Sequence, residues 1–462
     1  MTSARQIDTK AGSSNGLWRA TAALAVLILV VAAPIIPSWG GTQQASRYTL
    51  TAAIWDRGTV VLNDYTHLLG SDHANRDGVI YSDKAPGQPF LVAPLYGLYR
   101  LAGGERPDLS DQDPKIGLWW VTVWSASIPA AVLGILMYLW TREVERRTAL
   151  VATLSVSFGT LLLVYSTLLF GHVLAATFAF GMFLLVRRTN TSWRSLAFAG
   201  LLGGLAVAVE FPVFLIVLVL AIAALVRHRW SGLAVAAGGL PVAVLVGLYN
   251  RTVTGSAFVT PIQWSGFAGP RESPNEVVGL FVGPNLENLS QVLFSPRGLL
   301  LATPIVALGV AGIPLLYRRS RFDALVVSLT VASMLTIQVS WSSAFAGGAG
   351  PRYLVPALPF LAAPVALSWF RYRRTAIFLT GVSVLTMLAA TLTSPQLASD
   401  FSGGLGFWLR LALNGEFVST VWTEIASAGG WVIHGLIVLA ALLVLGRADR
   451  SGRDSALLST AA

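Results

Sequence analysis

Asp83 and Lys84 stand side by side in Tyr81-Ser82-Asp83-Lys84-Ala85-Pro86-Gly87-Gln88-Pro89, the most polar and turn-rich stretch of a long non-apolar segment. Pro86 and Pro89 preset φ and do not continue a helix interior, and Gly87 permits backbone geometries that other residues avoid. The stretch is therefore stiff, and it presents an acid and a base from a fixed frame. A carboxylate near a membrane surface can serve as a general base on an acceptor hydroxyl. A lysine beside it can hold a phosphate as a point charge. Together they suit transfer of a group from a lipid-linked phosphate. The plainer alternative is a loop leading into an interfacial helix at Pro89, with both charges solvated.

Other candidates lie at the same level of the chain. Asp56, Asp64, Asp72 and Asp77 precede the turn, whereas Glu105, Asp108, Asp111 and Asp113 form a polar run that reads as solvated. Glu210, in Val-Glu-Phe-Pro, sits at the tip of a short apolar hairpin, where an acid is expensive and hence a functional candidate. His172, in Leu-Phe-Gly-His-Val, falls near the end of an apolar run and is either a packing residue or a cavity residue. Arg297 and Arg352, in Phe-Ser-Pro-Arg-Gly and Gly-Pro-Arg-Tyr, each begin an apolar segment. Such arginines either snorkel to lipid phosphates or clamp a phosphate bidentately. The glycine-rich run before Arg352 favours the clamp there. His67 and His73, with Asp64 and Asp72, match no defined metal-site spacing, so a divalent metal stays open.

The elements that position these residues are membrane helices. Of 462 residues 54% are hydrophobic and 12% charged, against about 25% charged in soluble domains. With no cysteine, disulfides, thiolate chemistry and Cys-based metal sites are excluded. A span needs about 20 apolar residues, and twelve candidates occur: 18–38, 116–140, 149–167, 168–186, 195–211, 212–226, 231–249, 298–316, 323–341, 353–370, 375–393 and 431–446. The first reads as an uncleaved anchor. The net charge of +10 resolves into topology signals rather than a nucleic-acid face. Both termini and segments 141–148, 187–194, 227–230, 317–322 and 371–374 hold 20 of the 32 Lys and Arg but, with Asp323 at the edge of one, only six acids. The positive-inside rule places them in the cytoplasm. The longer segments 39–115, 250–297 and 394–430 then face outward from a single membrane domain. Within the first, 45–55 and 90–101 read as interfacial amphipathic helices, with Tyr96, Tyr99 and Arg100 at headgroup depth. No GxGxxG or P-loop is present, so an ATP-driven machine is not expected.

The layout resembles the GT-C membrane glycosyltransferases, near the protein O-mannosyltransferases and the aminoarabinose transferases. The residues that carry the resemblance are Ser46-Arg47-Tyr48, Tyr81 to Gly87, Gly204-Leu205-Ala206 leading to Glu210, and Arg352-Tyr353-Leu354-Val355-Pro356-Ala357-Leu358-Pro359. It implies an all-α polytopic fold of about twelve spans in a bacterial plasma membrane. It also implies a polyprenyl-phosphate sugar donor, a lipid, glycan or protein acceptor outside the membrane, and inversion at the anomeric carbon. Lys84 matches the family's phosphate-contacting lysine and Asp83 the acid before it; Tyr81, His172, Arg297, Arg352 and Tyr353 are the further expected substrate contacts. The chain departs from the family at Gln43-Gln44-Ala45, where relatives carry a catalytic acid before the Arg-Tyr pair. Asp64 or Asp83 is then the expected base, with Glu210 a third acid of the site. Two other readings stand beside this one: a lipid-linked sugar transporter or flippase, and a non-catalytic scaffold of a cell-envelope assembly. Against the carrier, no two halves repeat and the polar mass lies on one side.

Overall fold

The computed structural model describes residues 2–37, 41–107, 116–266, 281–345, 347–398, 401 and 403–460, with side chains between 16 and 449. After α1 (Thr2–Ala32) come α2 (Thr42–Arg57), a hairpin of β1 (Ala74–Arg76) and β2 (Val79–Tyr81), and α3 (Gly87–Leu101). Next are α4 (Ile116–Val144), α5 (Ala149–Phe158), α6 (His172–Val186), α7 (Trp193–Val209), α8 (Phe214–His228) and α9 (Leu233–Thr254). The last third holds α10 (Leu286–Phe294), α11 (Ile305–Arg319), α12 (Arg321–Val339), α13 (Arg352–Arg371), α14 (Arg373–Leu392), α15 (Leu405–Leu413) and α16 (Gly429–Thr460).

The protein is an all-α polytopic membrane protein. Each expected span falls on apolar helix, but not every one is long enough to cross alone. Among the described residues six helices meet that test by length and apolarity, or seven if a bent pair counts as one span. Four shorter apolar helices accompany them: 16–32, α5, α6 and α7. The 149–167 run breaks after Phe158, where Gly159 ends α5 and the Thr160 hydroxyl accepts from Leu162 N–H to start a new turn. The 298–316 run breaks at Pro304, which has no N–H to offer, and the helices on either side differ by 88°. The first ten residues of α13, Arg352–Leu361, are a 3₁₀ helix. Such runs are seldom so long; here Pro356 and Pro359 remove donors, and Gln338 Oε1 accepts from Tyr353 N–H at 2.8 Å.

Small residues set the closest helix contacts, as they do where lipid supplies no hydrophobic drive between helices. A Cβ on Gly200 would lie 1.9 Å from Val235 O, and one on Gly238 1.7 Å from Ala197 O. Contacts then advance along both helices together, Gly204 meeting Val242, so α7 and α9 run parallel. The intervening α8 must return, and the hairpin expected around Glu210 is present.

The basic segments gather at one pole. Arg187 pairs with Glu143 at 2.6 Å and Asp323 at 3.1 Å. Thr148 Oγ1 donates to Ala366 O at 2.7 Å, and Arg227 lies over the Phe322 ring at 4.3 Å. Arg19 and Arg447 line one groove between α1 and α16 near the same end. We expect this pole to be cytoplasmic. Single cysteines at Ser192 and Glu287 of the cysteine-free chain test it: an impermeant thiol reagent on intact cells should label 287 and spare 192. Labelling of 192 alone inverts the orientation.

One expectation about the 39–115 segment is corrected. Tyr96 does not reach headgroups: it is fully buried, its hydroxyl donates to Asp56 at 3.0 Å, and Arg100 pairs with the same carboxylate at 2.9 Å. A buried tyrosine hydroxyl seeks a partner, and Asp56 supplies it. The packed faces of α2 and α3 thus form a small second core with Leu50, Leu62 and Leu118. Glu105 is exposed, and Asp108, Asp111 and Asp113 lie outside the described residues.

Candidate functional site

Opposite the basic pole, a cavity of about 810 Å³ opens among α2, the β1–β2 segment, the Glu210 tip, the 260–265 turn and the start of α13. Its position depends on two glycines. A Cβ on Gly87 would lie 2.5 Å from the Ala208 backbone, and one on Gly171 2.7 Å from Glu210 Oε1. Both glycines therefore let the Asp83-Lys84 turn and the start of α6 close onto the α7 terminus. Side chains complete the frame. Ser46 and Ser82 hydroxyls are 2.8 Å apart, Ser82 Oγ accepts from Lys84 N–H at 3.2 Å, and Gln88 Nε2 donates to Ser125 Oγ at 3.0 Å.

Six fully charged side chains line the cavity among the described residues: Arg47, Asp72, Asp83, Lys84, Glu210 and Arg352. They sort into three groups. Arg47 Nη2 donates to Glu210 Oε1 at 2.6 Å, and His172 Nδ1 lies 3.6 Å from that oxygen. This cluster is buried beneath Phe170, which stacks on His172 at 5.8 Å. Lys84 stands between two carboxylates, bonded to Asp72 and to Asp83 at 2.9 Å. Burial alone would lower the Lys84 pKa, but the charges of Asp83 and Asp72 outweigh it and hold the ammonium above its usual range. Of its three donors two are engaged, leaving one for a ligand. Ser265 Oγ adds a bond to Asp83 Oδ2 at 2.8 Å.

Arg352 differs from the other two cations. It is buried yet pairs with no carboxylate among the described residues. Its Nη1 donates to Gly347 O at 3.3 Å, and its guanidinium lies 5.3 Å from the Tyr353 ring and 5.7 Å from Phe170. With its amide oxygen turned inward, Gln43 accepts from Nη2 at 2.5 Å and Nη1 at 3.3 Å. Arg352 Nε has no hydrogen-bond partner among the described residues. A buried charge without a counterion is costly, so this guanidinium is prepared for an anion. The carboxylate pair carries one more negative charge than Lys84 neutralises. The cavity therefore has an electropositive end at Arg352 and an electronegative one at Asp72 and Asp83.

The structure brings together Asp83, Lys84, His172, Glu210, Arg352 and Tyr353, all of which line the cavity. Three expected site residues lie apart from that lining. Asp64 pairs with Arg57 at the surface, its side chain 60% exposed. Tyr81 belongs to β2, opposite Ala74. Arg297 is buried as a brace: Nη1 donates to Gly348 O at 3.1 Å and to Ala398 O at 2.9 Å, with the guanidinium 4.3 Å from the Phe345 ring. It shapes the glycine-rich wall from behind. His67, His73, Asp64 and Asp72 do not gather either; among the described residues no three His, Asp or Glu groups come close enough to share a metal ion.

Asp72 and Arg47 are the cavity charges missing from the expected site. For Asp72 a signal was present. Asp77 and Gly78 have φ of 54° and 83°, the two positive values of the tight turn that Asp-Gly favours between paired strands. That turn fixes Ala74 opposite Tyr81, and Asp72 and Asp83, each two residues beyond that pair, both reach Lys84.

No protein-family model and no curated protein matches the sequence. Solved structures do. ArnT from Cupriavidus metallidurans bound to undecaprenyl phosphate aligns over 96% of this chain and 76% of its own, with TM-score 0.51 and 16% identity. Its apo state aligns over the same shares at TM-score 0.51 and 14% identity. The Archaeoglobus fulgidus oligosaccharyltransferase in the apo form aligns at TM-score 0.45 and 14% identity, over 88% of this chain and 56% of its own. The ArnT likeness shows the fold alone: this chain shares the helical architecture of that protein.

Proposed function

We propose that the protein is a membrane glycosyltransferase that moves a sugar from a polyprenyl-phosphate donor to an acceptor hydroxyl at the cavity mouth. The observation that carries this reading is Arg352, a buried cation with no carboxylate partner among the described residues, facing a cavity whose other end holds a lysine-braced carboxylate pair. A phosphate fits the first and a hydroxyl proton the second. The similar fold of a protein solved with undecaprenyl phosphate supports the same donor class.

In this reading the donor phosphate lies between Arg352 and the remaining Lys84 donor. Its lipid tail leaves the cavity toward the bilayer. The acceptor oxygen attacks the anomeric carbon from the side opposite the phosphate, which departs with the bonding pair and inverts that centre. Charge grows on the phosphate as the bond breaks, so fixed donors aimed at it stabilise the transition state more than the ground state. Arg352 is suited to this because its planar fork is held between Gln43 and two aromatic rings before any ligand arrives. Tyr353 and Trp341, with rings 4.8 Å apart, form an aromatic wall for the sugar. Arg47 and Glu210 neutralise one another and fix α2 to the α7 terminus. The cavity pole is the outer face in this reading, which the basic loops at the opposite pole support.

The test is transfer itself. Purified protein in liposomes receives labelled polyprenyl-phosphate sugars together with a crude cell-envelope acceptor fraction. Label should leave the lipid-phosphate pool for an acceptor and release polyprenyl phosphate in equal amount. Translocation of the intact donor across the liposome, with no bond broken, would make the protein a carrier instead.

A further inference from the structure

We infer that Asp72, rather than Asp83 or Glu210, is the general base that takes the acceptor proton. The inference rests on the glycosyltransferase reading and names a catalytic residue within it. Of the three cavity carboxylates, only Asp72 has both oxygens on groups that a substrate can replace or share. Its Oδ1 accepts from Lys84 Nζ, and its Oδ2 from the Thr42 hydroxyl at the first turn of α2. A threonine hydroxyl is a single rotor that can turn away. An acceptor hydroxyl arriving there makes the same bond to Oδ2 that the Thr42 hydroxyl makes.

The other two acids are committed elsewhere. Asp83 Oδ2 already holds Lys84 and Ser265, and its Oδ1 is buried with no hydrogen-bond partner among the described residues. Glu210 is tied by Arg47 and flanked by His172. Removing its charge leaves a buried guanidinium unpaired, which makes it a structural counterion. Gln43 adds an independent reason. It is the side chain on α2 that touches Arg352, and a carboxylate there would neutralise a cavity cation that pairs with no carboxylate among the described residues. A neutral amide at 43 and a carboxylate at 72 keep the base and the phosphate site apart.

In the step itself, the Asp72 carboxylate accepts the hydroxyl proton as the acceptor oxygen bonds to the anomeric carbon. The bond from that carbon to the phosphate oxygen breaks, and its electron pair leaves on polyprenyl phosphate. The proton passes from Asp72 to water when the product departs.

Asp72→Asn tests this in the full-length protein in liposomes, with Asp83→Asn and Gln43→Glu beside it. Turnover at saturating donor and binding of undecaprenyl phosphate are measured separately. A general base contributes about 10²- to 10⁴-fold. Asp72→Asn should lose turnover on that scale and lose the acid limb of the wild-type pH–rate profile. It should bind undecaprenyl phosphate as well as wild type or better, because a repelling charge has gone. Gln43→Glu should do the reverse, weakening binding first. Asp72→Asn retaining a tenth or more of wild-type turnover overturns the assignment, and so does a loss of binding that parallels the loss of turnover. If Asp72→Asn does not fold, Thr42→Val decides: it keeps the carboxylate, and should leave the acid limb in place at moderate activity. Disappearance of that limb in Thr42→Val refutes the assignment. Should wild type bind the lipid and transfer nothing, the glycosyltransferase reading itself fails and takes Asp72 with it.

Discussion

Replacing Arg352 with glutamine should weaken binding of polyprenyl phosphate about ten- to a hundredfold. A hydrogen bond to a charged group contributes roughly 1.5–3 kcal/mol, and each 1.4 kcal/mol is about a factor of ten in affinity. Glutamine can still meet Gln43 and fill part of the space between Phe170 and Tyr353, so the loss reports charge more than packing. Arg352→Lys restores the charge without the planar fork or the ring contacts, and should recover only part of the affinity. The empty protein should respond in the opposite sense. The Arg352 guanidinium is buried with no carboxylate partner among the described residues, so removing it relieves a desolvation cost and should leave thermal stability unchanged or raised. Thermal unfolding with and without undecaprenyl phosphate reads both effects at once. A glutamine variant that keeps the ligand-induced shift of wild type would remove Arg352 from the anion site.

Arg47→Met should produce the largest loss of stability of any single change at the cavity. It strands the Glu210 carboxylate, whose side chain is 8% exposed, beside a histidine and the Val209 backbone. Breaking a buried ion pair by removing one partner costs about 3–5 kcal/mol. Glu210→Gln should also destabilise, because it strands Arg47 in turn, whereas a solvated loop acid would tolerate the change. The double variant Arg47→Met/Glu210→Gln should recover much of the loss, since neither charge remains uncompensated. Thermal unfolding of the two singles and the double in one detergent gives the coupling between them. Additive losses would mean that the two side chains act independently.

The sequence carries the helices well, because apolar runs and basic loops are local signals. The phase of the basic segments placed 141–148, 187–194, 227–230, 317–322 and 371–374 together, and their ends meet at one pole. Interruptions inside runs were less visible. Gly159 and Pro304 are single residues in long apolar stretches, and only the geometry reveals a break at each. At the site, Asp83, Lys84, Glu210 and Arg352 stood out as polar residues in costly places. Their partners did not, since Arg47 and Glu210 are 163 residues apart and nothing local predicts the contact. Arg297 shows the converse. It has the same Pro-Arg context as Arg352, but its donors are taken by the Gly348 and Ala398 carbonyls behind the wall. Asp64 looked equivalent to Asp72 by type and neighbourhood. The hairpin decides between them: it folds Asp72 back against Lys84 and leaves Asp64 outside with Arg57.

The proposed function turns on a lipid phosphate held in the cavity at Arg352. The most direct measurement is an electron cryomicroscopy structure of the protein in nanodiscs with undecaprenyl phosphate. Phosphate density is expected within about 3 Å of the Arg352 guanidinium nitrogens, with the Lys84 ammonium on its other side and Asp72 still facing the cavity. An empty cavity at saturating lipid, or a phosphate bound only in the groove between Arg19 and Arg447, would contradict it.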